Sequence, residues 1–283
     1  MPARPRIGIT LGDPAGIGPE VVAKALKSGR LDRRFDYEVI GNPRTKRRAD
    51  AVDWIVDGAK RCLKGGLAAL ATAPITKELL RRAGYPFVGQ TELLAHLSGT
   101  KRFAMMLAGG PLRVALVTIH EPLRDVPKLI RPGKIIDVIE LSDEVCRRFG
   151  IRRPRIAVAG LNPHAGEGGL LGNDEQRIIA PAVKRAARSG ILVSGPHSAD
   201  TLFYRAAHGE FDAVVAMYHD QGLAPLKLIA FDNGVNLTLG LPFVRTSPDH
   251  GTAPDIAGKG IARPGGMIAA INMAARLARA RST

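Results

Sequence analysis

Three histidines of this 283-residue chain each follow an apolar run, a position at which the side chains of a parallel sheet can converge. They are His120 after residues 114–118, His164 after residues 155–159, and His219 after residues 211–215. Because neighbouring parallel strands end at one edge of their sheet, we expect the three imidazoles to approach one another. Three neutral imidazoles with an open position form a catalytic ligand set for a divalent metal ion. Each histidine alone is typical of a structural residue, so the metal hypothesis depends on their convergence.

The stretch around His219, residues 216–227 with the sequence AMYHDQGLAPLK, also carries Asp220 and Gln221. A histidine, a carboxylate and an amide at the end of a predicted strand are typical of a ligand site in an open parallel sheet. The ordinary alternative is that His219 and Asp220 form a strand-end pair bonded to the backbone.

Two glycine-rich segments are further candidates for ligand contact. Residues 12–18 follow a predicted strand and precede a helix that opens at Pro19 and Glu20, which suit a helix N-terminus. The segment lacks the GxGxxG spacing, so it does not by itself indicate a Rossmann dinucleotide site. Residues 249–258, DHGTAPDIAG, form a loop punctuated by glycine and proline that resembles a ligand loop more than a surface turn.

Composition limits the partners and the metal chemistry. The chain has 41 Lys and Arg against 26 Asp and Glu, a formal charge of +15, which favours small phosphates, carboxylates or nucleic acid without choosing among them. With 5% aromatic residues there is little surface for base stacking, so we expect no nucleic-acid partner. Cys62 and Cys146 are widely spaced and lack a CxxC partner, so a metal would use histidine or carboxylate ligands.

The expected location is the cytoplasm, with no membrane partner. The chain has no run of eighteen apolar residues, and the N-terminal MPARPRIGIT has no apolar segment followed by a small-residue cleavage site.

The elements that must position these residues alternate along the chain. The predicted strands and helices are strands at 6–10, 37–40, 67–72, 114–118 and 155–159, and helices at 51–63, 132–149 and 267–280. This alternation predicts a doubly wound α/β architecture with a parallel sheet, in one large or two medium domains. Residues 109–111, Gly-Gly-Pro, indicate a hairpin or another tight connection, and Thr91 is expected to cap a helix.

Several long motifs, in order, resemble one enzyme family, the 4-hydroxythreonine-4-phosphate dehydrogenases of vitamin B6 biosynthesis. The motifs are GDPAGIGPE, TAPITK, GQTE, GLNPHAGEGG, ADTLF, MYHDQGL, VNLTLGLPFVRTS and DHGTA. The resemblance covers almost the whole chain. It implies two α/β/α domains with an inter-domain cleft, as in isocitrate and isopropylmalate dehydrogenases. It also implies a homodimer whose metal site is shared between subunits. The implied domains are a cofactor-side domain of residues 1–88 with 228–283, and a central metal-binding and dimerisation domain of residues 89–227.

The resemblance also assigns roles to individual residues. The metal ligands are His120, His164 and His219; the substrate-binding residues are Gln90, Thr91, Lys227, Asn236 and Arg245; the cofactor loop comprises Gly251, Thr252, Ala253 and Asp255. The implied cofactors are NAD, with NADP left open, and a divalent Zn, Mg, Mn or Co ion. Asp200 and Lys227 are the catalytic candidates, and an N-cap role is the alternative for Asp200.

The implied reaction is NAD-dependent, metal-dependent oxidation of a small anionic secondary alcohol such as 4-phosphohydroxythreonine, followed by decarboxylation. Alternatives within the family are a four-carbon sugar-acid phosphate and a cis-dihydrodiol dicarboxylate; outside it, a basic nucleic-acid-binding or catalytically silent paralogue.

Two features depart from the family pattern. Gln90 stands where a histidine is usual, which favours an altered or broadened specificity because an amide cannot supply positive charge. The segment between residues 43 and 51 is much shorter than in the family, which either removes a peripheral element harmlessly or weakens the cofactor side.

Overall fold

The structure, a computed structural model, describes residues 4–45 and 47–279 and divides the chain into two compact units. The first unit takes the described residues up to Lys101 and those from Asp232 onward, and the second unit spans Arg102–Phe231.

The strands share short, mostly buried apolar sequences. In chain order they are β1 (Arg6–Thr10), β2 (Asp36–Ile40), β3 (Ala69–Thr72), β4 (Ala104–Gly109), β5 (Leu112–Leu116), β6 (Ile156–Ala159), β7 (Val193–His197), β8 (Ala213–Ala216), β9 (Val235–Leu239) and β10 (Val244–Pro248).

The helices connect these strands, and most bury one apolar face. They are α1 (Gly18–Lys27), α2 (Asp50–Leu63), α3 (Lys77–Arg82), α4 (Gln90–Leu97), α5 (Val126–Leu129), α6 (Pro132–Arg148), α7 (Ala180–Arg188), α8 (Ala199–Ala207), α9 (His219–Ala230) and α10 (Gly265–Arg279). Residue 280, the last of the predicted C-terminal helix, lies outside the described residues.

In the first unit the strand order is β2-β1-β3-β10-β9. The first four strands are parallel and β9 runs antiparallel to β10. All four residues of β3 are buried, as expected for a central strand covered on both faces. The ends of β1, β3 and β10 therefore lie along one edge of this sheet, next to the glycine-rich turn 12–18.

In the second unit the order is β4-β5-β8-β6-β7. Strands β5, β8, β6 and β7 are parallel, and β4 forms an antiparallel hairpin with β5. A Cβ on Gly222 would lie 2.7 Å from Val114 Cγ1, so this glycine lets α9 pack closely on β5. That close packing fixes the start of α9, where His219 lies.

Most of the predicted elements are confirmed, and the hairpin is among them: Gly109 pairs with Leu112, so its connection has two residues. The predicted cap at Thr91 is wrong: Gly89 is the N-cap residue, and Thr91 lies inside α4 with its hydroxyl buried. Helix α4 belongs to the first unit, whereas the predicted boundary at residue 88 places it in the second. The amide of Gln90 donates to Ala73 O, which ties the start of this helix to the first unit.

No helix within residues 4–45 and 47–279 combines the length and apolar character needed to cross a membrane.

Candidate functional site

A buried arginine near the start of β10 reaches Thr72, the last residue of β3, in the first unit. Arg245 on β10 is only 4% exposed. Its Nε and Nη2 atoms donate to Thr72 Oγ1 at 3.1 and 2.8 Å, and Nη1 donates to Thr238 Oγ1 at 3.1 Å. These hydroxyls come from β3 and β9, so three strands hold one guanidinium in a fixed orientation.

The charge of Arg245 is not matched by a hydrogen-bonded carboxylate among the described residues. Burial lowers the pKa of Arg245 to about 10, although the carboxylate of Glu92 acts to raise it. The guanidinium is therefore still cationic at neutral pH. A buried cation with neutral partners is costly, so a bound anion would be stabilised here.

The side-chain amide of Gln90 is hydrogen-bonded to this arginine. Its Oε1 accepts from Arg245 Nη2 at 3.3 Å, and its Nε2 donates to Ala73 O at 3.1 Å. The adjacent Thr91 hydroxyl lies 3.3 Å from Thr238 Oγ1. Of the predicted substrate residues, the structure brings Gln90, Thr91 and Arg245 into one hydrogen-bonded cluster.

Asn236 on β9 presents an acceptor that has no partner. Its Oδ1 atom is buried without a hydrogen bond to any described residue. Leaving a buried acceptor unsatisfied costs about 1–3 kcal/mol, and a donor on a bound ligand would remove that cost.

The predicted cofactor loop packs on the glycine-rich turn within the first unit. The N–H of Ile17 donates to Thr252 O at 2.9 Å, and a Cβ on Gly16 would lie 2.7 Å from the same oxygen. Gly251 and Asp255 are exposed. The loop is therefore supported from one side and accessible to a ligand at Asp255.

Sequence reasoning missed the ion pair that holds the glycine-rich turn. Asp13 is 1% exposed, and both of its carboxylate oxygens accept from Arg48, with Nε at 3.0 Å from Oδ1. The N–H of Asp13 also donates to Pro74 O at 2.9 Å. Arg48 comes from the shortened segment, and no spacing rule connects positions 13 and 48.

In the second unit His120 and His219 lie side by side, with ring centroids 5.6 Å apart. They follow β5 and β8, which are adjacent parallel strands, and His219 is the first residue of α9. The Nδ1 atom of His219 lies 2.7 Å from Asp220 Oδ1. This contact orients the ring and leaves Nε2 available to a ligand, an arrangement common at metal sites.

The two imidazoles line a cavity of about 480 Å³ within the second unit. Its apolar walls include Ile119, Leu123 and Val126, and Glu121 adds a carboxylate.

A divalent ion fits this pair of imidazole nitrogen donors, but among the described residues no third ligand lies with them. The described residues contain no group of three or more His, Cys, Asp or Glu side chains placed to hold a metal. His164 lies five residues beyond β6, in a turn of its own. Joint ligation by His120, His164 and His219 stays a prediction.

Asp200 lies in the first turn of α8, where Ser198 is the N-cap residue, so the N-cap alternative for Asp200 is wrong. Its Oδ1 accepts from Ser198 Oγ at 2.6 Å and from Thr201 N at 2.9 Å. The Ser198 hydrogen bond, chiefly, and the charge of His164 lower the pKa of Asp200. The carboxyl group of Asp200 is therefore ionised at neutral pH.

Lys227, the other catalytic candidate, lies on α9 eight residues beyond His219. At 1.5 Å per residue the two Cα atoms are about 12 Å apart along the helix axis. The side chain is half-buried.

Residues 19–274 match the profile of a family described as pyridoxal phosphate biosynthetic protein PdxA. A 4-hydroxythreonine-4-phosphate dehydrogenase of Geobacter metallireducens is 45% identical over 99% of this chain and 97% of that protein. A putative D-threonate 4-phosphate dehydrogenase of Oceanobacillus iheyensis is 40% identical over 98% of this chain and 99% of that protein. The Geobacter alignment has 330 positions, so at least 47 of them lack a residue of this 283-residue chain.

Comparison with solved structures finds the same family. A 4-hydroxythreonine-4-phosphate dehydrogenase of Klebsiella pneumoniae superposes with a TM-score of 0.85 at 40% identity, covering 97% of this chain and 99% of that one. A β-decarboxylating dehydrogenase of Thermococcus kodakarensis shares the fold, with a TM-score of 0.60 at 17% identity over 98% and 84% of the two chains. The predicted isocitrate/isopropylmalate dehydrogenase-like α/β fold is confirmed.

Proposed function

Because the chain belongs to the PdxA family and is a dehydrogenase that acts on a CH–OH group, we propose that it oxidises a small phosphorylated hydroxy acid with NAD. The preferred substrate is 4-phosphohydroxythreonine. NAD, when bound, would supply the hydride acceptor for this oxidation, whose other products would be a proton and a β-keto acid that can lose carbon dioxide.

The observation that carries this proposal is the buried Arg245. Its guanidinium is held by Thr72 and Thr238 and has no hydrogen-bonded carboxylate within the described chain. An anionic substrate bound next to this cluster supplies the missing negative charge. Asn236, with its unpartnered Oδ1, is a suitable acceptor for a substrate hydroxyl or ammonium group.

The metal proposal uses His120 and His219 as a pair and His164 as the third ligand, with the site shared between the subunits of a homodimer. A divalent ion, when bound, supplies a Lewis acid that lowers the pKa of a substrate hydroxyl. The metal remains open among Zn, Mg, Mn and Co.

The chain's own groups supply the remaining functions. Asp200 is ionised at neutral pH and accepts a proton, and Lys227 provides positive charge and is a second candidate for proton transfer. The residues that would hold the adenosine half of NAD are Gly251, Thr252, Ala253 and Asp255, and Asp255 would accept a hydrogen bond from a ribose hydroxyl. NADP remains the alternative cofactor, and the proposed location is the cytoplasm.

A four-carbon sugar-acid phosphate is the second candidate substrate. The relative named for D-threonate 4-phosphate is 40% identical to this chain, and a neutral amide stands at position 90. Both candidates are hydroxy acids that carry a phosphate, so Arg245 alone does not separate them.

Steady-state NADH formation tests the proposal. Purified protein is assayed with NAD, a divalent metal and either 4-phosphohydroxythreonine, D-threonate 4-phosphate or a cis-dihydrodiol dicarboxylate. We expect turnover of a phosphorylated substrate and no turnover of its dephosphorylated form. Turnover restricted to the dicarboxylate would contradict the phosphate assignment, and no NADH with any substrate would contradict the activity.

A further inference from the structure

His164 lies in an unusual left-handed turn. Residues 164–168 all have positive φ values, between 43° and 81°. Three of them, His164, Ala165 and Glu167, carry side chains that disfavour this conformation. Such a turn persists only where surrounding contacts hold it.

A buried carboxylate provides those contacts at the entry to the turn. Glu175 is 3% exposed, and its Oε1 accepts from the N–H groups of Leu161 and Asn162 at 2.8 and 2.7 Å. Its Oε2 accepts from Asn162 Nδ2 at 3.0 Å. One side chain therefore fixes the two backbone units that lead into the turn.

The same carboxylate lies against the middle of the turn. A Cβ on Gly166 would lie only 2.6 Å from Glu175 Oε2 and 2.8 Å from Gly172 O. Gly166 is therefore required by this contact as well as by its φ of 81°. The backbone of the turn and the Glu175 carboxylate are therefore in close contact, with no space between them for a side chain at position 166.

The element that carries Glu175 is also irregular. Residues Glu175–Ile179 form one π-helical turn before α7. Such turns often occur at functional sites, because they redirect a side chain from the regular helical path. On the following residue, Gln176 Nε2 donates to Gly168 O at 2.8 Å, so both ends of the left-handed turn are bound to this element.

We propose that Glu175 is the positioning residue for His164: it holds the left-handed turn in the one conformation that presents the imidazole for use in the active site. The inference rests on the proposed function for the role of His164 as a metal ligand. Glu175 itself is buried below the turn, and its contacts are with backbone and Asn162.

Two pairs of variants test the contact from both sides. Glu175→Gln keeps the shape of the side chain but places an amide against Asn162. Asp174→Asn is its control, because Asp174 accepts from the Asn162 side chain and not from the backbone N–H groups that Glu175 holds. Gly166→Ala drives a methyl group into the carboxylate. Gly168→Ala is its control, because a Cβ there meets nothing within 4 Å although its φ of 65° imposes similar backbone strain.

The readouts are the imidazole NMR signals of His164 in metal-free full-length protein, assigned with His164→Ala, and the affinity for Zn²⁺ by competition with a chelating dye. Glu175→Gln and Gly166→Ala are expected to shift the His164 signals and weaken Zn²⁺ binding about 10- to 100-fold, as for other residues that orient a ligand. Both control variants are expected to stay near wild type. Thermal unfolding in EDTA verifies that each variant is folded.

Unshifted His164 signals in Glu175→Gln and Gly166→Ala would overturn the proposal. Shifted signals with wild-type Zn²⁺ affinity would also overturn it, provided that His164→Ala loses binding. If His164→Ala binds Zn²⁺ like wild type, the metal assignment in the proposed function fails instead. The NMR comparison with the two controls then decides the positioning role alone.

Discussion

Arg245 carries a positive charge inside the first unit, and its hydrogen-bond partners there are neutral hydroxyls and one amide. The buried charge destabilises the ligand-free protein and would stabilise a complex with an anion. Both effects come from the low polarity around the guanidinium. Stability and substrate affinity should therefore respond in opposite directions when the charge is removed.

Arg245→Met should raise KM for the phosphorylated substrate about 10- to 150-fold, since a charge-assisted hydrogen bond contributes ~1.5–3 kcal/mol. The free energy of unfolding of the ligand-free protein should stay equal or increase, because an uncompensated buried charge is removed. Kinetics and urea unfolding measure both. Arg263→Met, at an exposed arginine paired with Asp232, is the control. An unchanged KM would show that Arg245 does not bind the substrate.

Gln90→His tests whether the amide sets the substrate preference. An imidazole here can donate to phosphate when protonated, but Arg245 Nη2 lies 3.3 Å from the present Oε1 and opposes a second positive charge. We expect the variant to use 4-phosphohydroxythreonine at least as well as the wild type does. Its kcat/KM should also depend on pH, with a midpoint below the ordinary imidazole pKa of ~6.5. A substrate that presents a hydroxyl or carboxylate to Gln90 should be used less well.

The measurement is kcat/KM on both substrate classes from pH 5.5 to 8. A wild-type enzyme that already strongly prefers 4-phosphohydroxythreonine would show that Gln90 does not broaden specificity.

At the scale of single elements, hydrophobic patterning predicted the helices α2 and α6, each of which buries one apolar face, and the continuously apolar strands β3 and β6. It did not predict the left-handed turn at His164. That turn depends on a carboxylate eleven positions away, and hydrogen bonds between such positions leave no periodic pattern. The approach of His120 and His219 was predictable, since both follow parallel strands, whereas the separate position of His164 was not.

The first turn of α8 controls the proton affinity of Asp200. Ser198 donates to this carboxylate and is the largest cause of its lowered pKa, so Ser198→Ala should raise that pKa. The ionised form is then lost at a higher pH as the solution is acidified. The acid limb of the kcat/KM profile should move to higher pH, whereas Ser189→Ala, at the exposed end of α7, leaves it unchanged. An unmoved limb would exclude Asp200 as the group that titrates there.

The shortened segment before α2 contributes an ion pair to the glycine-rich turn 12–18, which lies next to the proposed cofactor loop. Arg48→Ala leaves the buried Asp13 carboxylate without its guanidinium partner and should destabilise the protein by about 1–3 kcal/mol. KM for NAD should rise more than KM for the substrate, because the turn 12–18 supports Thr252. Arg47→Ala removes only an exposed pair with Asp50 and is the control. Equal effects of both variants would show that the Asp13 pair has no special role.

At the scale of the whole molecule, long motifs and strand–helix alternation predicted the α/β fold because both extend through the chain, whereas alternation alone left one or two domains open. Individual residues alone did not predict how many chains complete the site. One chain brings together two of the three proposed metal ligands, and its described residues contain no group of three. If a second copy of the chain supplies the third ligand, the separation of His164 from His120 and His219 is explained. This agrees with the shared site that we propose.

Subunit complementation tests the shared site. His164→Ala and His219→Ala should each be inactive. If His164 acts in one site with His219 of a different subunit, a mixed dimer of the two variants contains one intact site and one doubly altered site. After random subunit exchange, half of the dimers are mixed, so activity should recover to about a quarter of wild type. His120 and His219 lie together in one chain, so mixing His120→Ala with His219→Ala should restore nothing. NADH formation before and after mild denaturation and refolding of the mixture measures the recovery, with light scattering to establish that dimers have re-formed. Dimers without recovered activity in the first mixture would show that each subunit completes its own site.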